Sequence, residues 1–130
     1  MKSISETLAM IEELPNERAV VDALVNLPNP HKRIVREILE AVYEDGAFLD
    51  FSEVTYDQSE MDMPGVFMSE VSRLYLYRGH LNVPKKRLDS ILGGVLSMMI
   101  PSDAELYKAV LAKKMPYKKL TRKVYKKAFT

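Results

Sequence analysis

Short runs of apolar residues recur at three- and four-residue spacing along most of this chain, bounded by proline, glycine or helix-capping residues. Such spacing places apolar side chains on one face of a helix, so it predicts short amphipathic helices. We therefore expect an all-α fold, with residues 1–130 forming a single compact domain of six or seven short helices. A chain of 130 residues is long enough for one hydrophobic core and too short for two.

Three helices are predicted in the first part of the chain. The first begins at an S-x-x-E capping pair headed by Ser3 and continues to about Leu14. A second helix is expected over residues 16–27, between two prolines. Asn29 followed by Pro30 is typical of a cap and a first helical residue, and it predicts the start of the third helix.

Residues 47–65 break the helical period and are locally acidic. Their alternation would suit one short strand, but no partner strand is recognisable, so we expect an irregular acidic loop. Asp57, Ser59 and Asp62 are spaced somewhat like the ligands of a calcium loop. The glycine and the closing glutamate that such a loop requires are absent, so we expect no metal site.

Two apolar helices are predicted next. Residues 66–78 show a helical pattern in which Tyr75 lies on the buried side. Residues 85–100 are so rich in apolar side chains that we expect them to form the central core helix. Gly93 and Gly94 interrupt this helix, and we interpret them as allowing close packing against another helix.

The last part of the chain, residues 106–130, is predicted to form basic C-terminal helices. Ser102 and Glu105 supply a second S-x-x-E pair, which predicts a sharply defined helix start. Two lysines end this helix before Pro116, and a final helix can begin after Thr121.

Charge is divided unequally along the chain. Residues 1–72 hold 5 Lys and Arg against 15 Asp and Glu, whereas residues 73–130 hold 14 against 3. No acidic residue follows Glu105. This polarity has two interpretations, which are attraction between the halves within one fold and a basic surface facing an anionic partner.

The basic segment supplies the candidate binding residues. Lysine and arginine contact phosphates without needing a motif, and interleaved tyrosines can stack on unpaired bases. Alternatively, the tyrosines complete the core, the lysines are merely solvated, or the same charges meet an acidic protein partner. The candidate nucleic-acid or partner-binding residues are Lys113, Lys114, Tyr117, Lys118, Lys119, Arg122, Lys123, Tyr125, Lys126 and Lys127.

The groups that catalysis requires are scarce in this sequence. There is no cysteine, which removes disulfides, thiolate nucleophiles and cysteine metal sites. His31 and His80 are far apart and match no nucleophile-base or metal-ligand spacing. We therefore expect that the protein is not an enzyme and that it has neither catalytic residues nor a cofactor. No apolar run approaches the length of a membrane span, and acidic residues interrupt the N-terminal segment, so we expect no membrane association and a cytoplasmic location.

The second half resembles a group of small uncharacterised proteins encoded by T4-like tailed bacteriophages, including those that infect cyanobacteria. The resemblance spans residues 73–129 and is carried by four stretches, RLYLYRGH, RLDSILGGVLSMM, PSDAELYKAVLAKKM and LTRKVYKKAF. It implies a phage-encoded accessory protein in the cytoplasm of an infected bacterial host cell, with no established activity.

These observations together predict a non-enzymatic phage accessory protein. We expect it to bind nucleic acid, or the replication and transcription machinery that handles nucleic acid, through the basic C-terminal helices. The alternatives are a host-directed inhibitor or adaptor acting by protein-protein contact, and a minor virion or assembly component. The sequence does not predict the oligomeric state.

Overall fold

A computed structural model describes residues 3–44, 46–57, 64–79 and 82–129. Within these residues the chain forms seven α-helices and one 3-10 helix and no strand, which confirms the all-α prediction. The α-helices are α1 (Ile4–Glu12), α2 (Glu17–Val25), α3 (His31–Tyr43), α4 (Pro64–Val71), α5 (Lys85–Ser97), α6 (Pro101–Leu111) and α7 (Arg122–Phe129), and the 3-10 helix covers Leu74–Arg78. Ser59, Asp62 and His80, considered above as candidate ligands, lie outside the described residues.

The predicted cap of the first helix is present, and the second helix has a side-chain cap that we did not predict. The Ser3 hydroxyl accepts a hydrogen bond from the Glu6 N–H at 3.1 Å, and the Asn16 side chain accepts one from the Ala19 N–H at 2.9 Å. Each bond satisfies a backbone donor that has no partner within its helix, which typically stabilises a helix by about 1 kcal/mol. The starts of α1 and α2 are therefore set by local sequence.

The start of α3 differs from the prediction. The helix begins at His31, and Pro30 occupies the capping position without a side-chain hydrogen bond. The N–H groups of Lys32 and Ile34 are satisfied by the backbone carbonyls of Pro28 and Pro30. The Lys32 N–H, which a cap at Asn29 would serve, donates to the Pro28 carbonyl at 3.0 Å instead, so the prediction of Asn29 as the cap was wrong.

Helices α1, α3 and α6 form the centre of the fold, since each packs against four other helices. Helix α3 packs against α1, α4, α6 and α7. The prediction that residues 85–100 form the central helix was therefore wrong, since α5 packs mainly against α6. The apolar content of a helix indicates that one face is buried, but not how many neighbours it meets. The buried residues of α3 are Ile34, Val35, Ile38, Leu39, Ala41 and Val42.

The single helix predicted over residues 66–78 is two elements. After α4 the chain changes to the 3-10 helix, in which side chains three residues apart lie on the same side. Leu74 and Tyr77 are consequently both buried, whereas Tyr75, which we expected in the core, is 57% exposed. Gly79 ends this element with φ +81°, a backbone conformation that glycine adopts without strain.

In the acidic segment, residues 47–57 contain neither helix nor strand and lie against the core, whereas residues 64 and 65, expected in the same loop, begin α4. Phe51 is buried, and the Leu49 N–H donates to the Tyr77 carbonyl at 2.9 Å. A Cβ atom at Gly93 would lie 3.3 Å from the Thr55 carbonyl oxygen. Gly93 therefore admits this segment and Gly94 has open space at its Cβ position, so the prediction that the two glycines allow close packing against another helix was wrong.

The start of α6 also differs from the prediction. Ile100 is the capping residue and makes no side-chain capping bond, so the expected cap by Ser102 was wrong. The Ser102 hydroxyl instead lies 2.8 Å from the Ser5 hydroxyl, and buried Asp103 accepts a hydrogen bond from the Ser5 N–H at 3.2 Å. The N-termini of α1 and α6 thus meet around a carboxyl group whose pKa is raised by burial.

Candidate nucleic-acid interface

The basic region begins where α6 ends. The Lys114 N–H donates to the Ala109 carbonyl and the Lys113 N–H to the Val110 carbonyl, each at 2.9 Å, which is the hydrogen-bond pattern of a Schellman motif. Lys113 occupies the left-handed position of this motif with φ 57°, where glycine is usual. Its ammonium group also donates to the Gly46 carbonyl at 3.5 Å. The sequence gives no glycine here, so it provided no signal for this turn.

Two of the candidate residues in the connection between α6 and α7 are directed inward. The Tyr117 hydroxyl donates to the Ser5 carbonyl at 3.2 Å, and its ring packs against the core. The Lys119 N–H donates to a Glu12 carboxylate oxygen at 3.0 Å, and its ammonium group donates to the Leu14 carbonyl. These hydrogen bonds therefore hold the connection against α1 and against Leu14, which follows α1.

Helix α7 packs against α2 and α3 through a short apolar face. Val124 and Tyr125 are 2% and 3% exposed. The Tyr125 hydroxyl donates to Glu44 at 3.1 Å, and burial raises the pKa of this tyrosine. The N–H of Val124 donates to the Thr121 hydroxyl at 3.2 Å, which caps the helix start. Tyr125 is thus a core residue with its hydroxyl satisfied.

Carboxylates from the first half of the chain contact the cations of α7. Glu17 at the start of α2 lies 3.9 Å from the Lys123 ammonium and 3.3 Å from that of Lys127. Glu44, directly after α3, lies 2.6 Å from the Lys126 ammonium. Hydrogen bonds from Lys126 and then from Tyr125 lower the pKa of Glu44 below its ordinary value. The attraction between the halves considered above is therefore present within the fold.

Cations cover the whole outward side of α7. Successive residues of an α-helix are rotated by about 100°, so Arg122, Lys126, Lys123 and Lys127 follow one another across an arc of about 140°. Arg122 borders α3, where its guanidinium group lies 5.8 Å from the centre of the Tyr43 ring. Lys127 borders α2 through Glu17. The four side chains form a continuous basic face opposite the buried one.

The ten candidate residues thus divide by direction. Tyr125 is buried and Tyr117 is half-buried with its hydroxyl bonded to the Ser5 carbonyl, and Lys113 and Lys119 are tied to backbone carbonyls. The other six are exposed, and among the described residues neither Lys114 nor Lys118 contacts a carboxylate. We call these six the basic C-terminal surface, which comprises Lys114, Lys118, Arg122, Lys123, Lys126 and Lys127.

A separate cleft of about 950 Å³ lies between the acidic segment and α5. Its carboxylates are those of Asp50, Glu53, Asp57 and Asp89, and Asp89 pairs with the Lys85 ammonium at 2.8 Å. No group of three or more acidic or histidine side chains in the described ranges is arranged to hold a metal ion. Nor is any helix of the described residues long and apolar enough to cross a membrane.

Comparisons of the chain with protein-family models, with curated proteins and with solved structures found no match. Its function must therefore be inferred from the sequence and from the arrangement of its side chains.

Proposed function

We propose that this chain is a non-enzymatic phage accessory protein that binds nucleic acid through the basic C-terminal surface. The observation that carries the proposal is the outward face of α7, which consists of cations alone. The phage setting, and action inside the infected bacterial cell, rest on the resemblance of residues 73–129 to proteins of T4-like bacteriophages.

The ion pairs on α7 are compatible with ligand binding because they are exposed. The side chains of Lys123, Lys126 and Lys127 retain 70%, 51% and 51% exposure. Pairs of this kind typically contribute only about 0–1 kcal/mol, so a phosphate can replace the carboxylate at low cost. Glu17 and Glu44 also cannot neutralise four cations, and the excess favours a polyanion.

Counterion release supplies the driving force. A nucleic acid releases condensed counterions when lysine and arginine neutralise its phosphates, which requires neither a motif nor base contacts. Binding by this surface should therefore weaken steeply with salt and depend little on base sequence.

The test is a fluorescence-anisotropy titration of the full chain against labelled single- and double-stranded oligonucleotides at low and near-physiological salt. Lys114→Gln with Lys118→Gln removes two cations that contact no described carboxylate. The matched control is Lys86→Gln with Arg87→Gln, which removes two exposed cations at the start of α5. Circular dichroism melts verify that both variants fold.

We expect the wild type to bind in a salt-dependent manner. Loss of two phosphate contacts lowers the magnitude of the salt slope by about 1.8, so the double variant should gain about twelvefold less affinity than the wild type when salt falls from about 1 M to about 0.25 M. The control variant should lose clearly less. Absence of binding at low salt, or equal losses in the two variants, would overturn the proposal. Capture of a bacterial protein that survives nuclease treatment, with no oligonucleotide binding, would instead support docking on the replication or transcription machinery.

A further inference from the structure

We infer that the ligand class of the basic C-terminal surface is duplex nucleic acid, recognised through its phosphates. This inference rests on the proposed function. It concerns which form of nucleic acid the surface prefers, a choice that the sequence leaves open because tyrosines alternate with lysines along the segment.

The positions of the tyrosines argue against a single-stranded ligand. Proteins that hold single strands combine a basic groove with aromatic rings on which bases stack, and each stacked base contributes about 1–3 kcal/mol. Tyr125 lies in the core and Tyr117 is hydrogen-bonded to α1. The six exposed residues of this surface are all lysine or arginine, so they offer charge and no aromatic ring.

The arrangement of cations on α7 suits a duplex. Arg122 and Lys126 form one row, on the α3 side of the helix, and Lys123 and Lys127 form a second row on the α2 side. Residues four apart are neighbours on a helix surface, so each row presents two adjacent charges. Counting both strands, a duplex carries one phosphate per about 1.7 Å of axis. Two rows of cations can therefore reach more phosphates on a duplex than on a single strand.

Counterion release gives the size of the expected preference. The salt slope is about −0.9 per neutralised phosphate for duplex DNA and about −0.7 for single strands. With four contacts from α7 the slopes are about −3.6 and −2.8, so this effect alone favours the duplex about sixfold at 0.1 M salt relative to a 1 M reference. Because none of the six exposed residues of this surface carries a ring, they add no stacking energy to the single strand.

The experiment compares one mixed-sequence oligonucleotide as a single strand and as a duplex, with the intact protein, by anisotropy over a range of salt concentrations. We expect about sixfold or more tighter binding to the duplex and a steeper duplex slope. The variant Lys123→Gln with Lys127→Gln should reduce the magnitude of the duplex slope by about 1.8, while Lys86→Gln with Arg87→Gln reduces it by clearly less.

Two results would count against the inference in distinguishable ways. Equal or tighter binding to the single strand would overturn the duplex preference while leaving nucleic-acid binding in place. Absence of binding to both forms would overturn the proposed function and the inference together. A thermal melt of each variant separates loss of binding from loss of folding.

Discussion

The stability of α7 should depend on its buried face and only weakly on its lysines. Val124 is 2% exposed between α7 and its neighbours. Val124→Ala removes two methyl groups, which costs about 1.6 kcal/mol in transfer free energy and about 2 kcal/mol or more once the cavity is included. Lys123→Gln with Lys127→Gln breaks two exposed contacts to Glu17, at 3.9 and 3.3 Å. Such contacts together should contribute less than about 1 kcal/mol.

The assay is equilibrium unfolding in urea at neutral pH, with the free energy of unfolding compared at constant m-value. The control for the general effect of removing two positive charges is Lys86→Gln with Arg87→Gln. We expect Val124→Ala to be the most destabilised of the three variants by at least about 1 kcal/mol. The reasoning would be refuted if Lys123→Gln with Lys127→Gln were destabilised as much as Val124→Ala. These lysines would then be needed to hold α7 in place and would not be available to phosphates.

Three further predictions concern stability. Burial raises the pKa of Asp103, so its contribution to stability is greatest below its unfolded pKa of about 3.9 and is lost as pH rises through the higher folded pKa. Asp103→Asn should therefore gain stability relative to wild type as urea unfolding is repeated from acidic to neutral pH, and a widening advantage of the wild type would contradict this. Lys113→Gly should be about 1 kcal/mol more stable than Lys113→Ala, since both lose the side-chain contact and only glycine relieves the φ of 57°; equal melting temperatures would show that this conformation is unstrained. Gly94→Ala, with open space at its Cβ position, should stabilise α5 by about 0.5–1 kcal/mol, whereas Gly93→Ala, 3.3 Å from the Thr55 carbonyl, should stabilise less or destabilise. The same urea assay would contradict that comparison if Gly93→Ala proved the more stable variant.

Features fixed by neighbouring residues were predictable from the sequence. The spacing of apolar side chains identified the helices, and Ser3 located the start of the first helix, because a cap and its donor lie three residues apart. The same reasoning failed at Ser102, whose hydroxyl contacts Ser5 from a distant part of the chain. A local pattern cannot reveal that a capping side chain has a tertiary partner.

The candidate surface was predictable only in part for the same reason. The concentration of positive charge is visible in the sequence, but Lys127 and Glu17 are 110 residues apart, and Tyr125 and Glu44 are 81 apart. Tyr125 and Lys126 are adjacent in sequence, yet the first is buried and the second is exposed, because α7 has one face on α2 and α3. Which basic-segment residues face outward therefore follows only from the packing.

The most direct test of the account is to map the contact surface by two-dimensional NMR of the labelled full chain during titration with a duplex oligonucleotide at low salt. The account predicts chemical-shift changes that cluster at Lys114, Lys118 and the outward residues of α7, and that reverse when salt is added. It would be contradicted by changes confined to other elements, such as the start of α5, or by spectra that the duplex leaves unchanged.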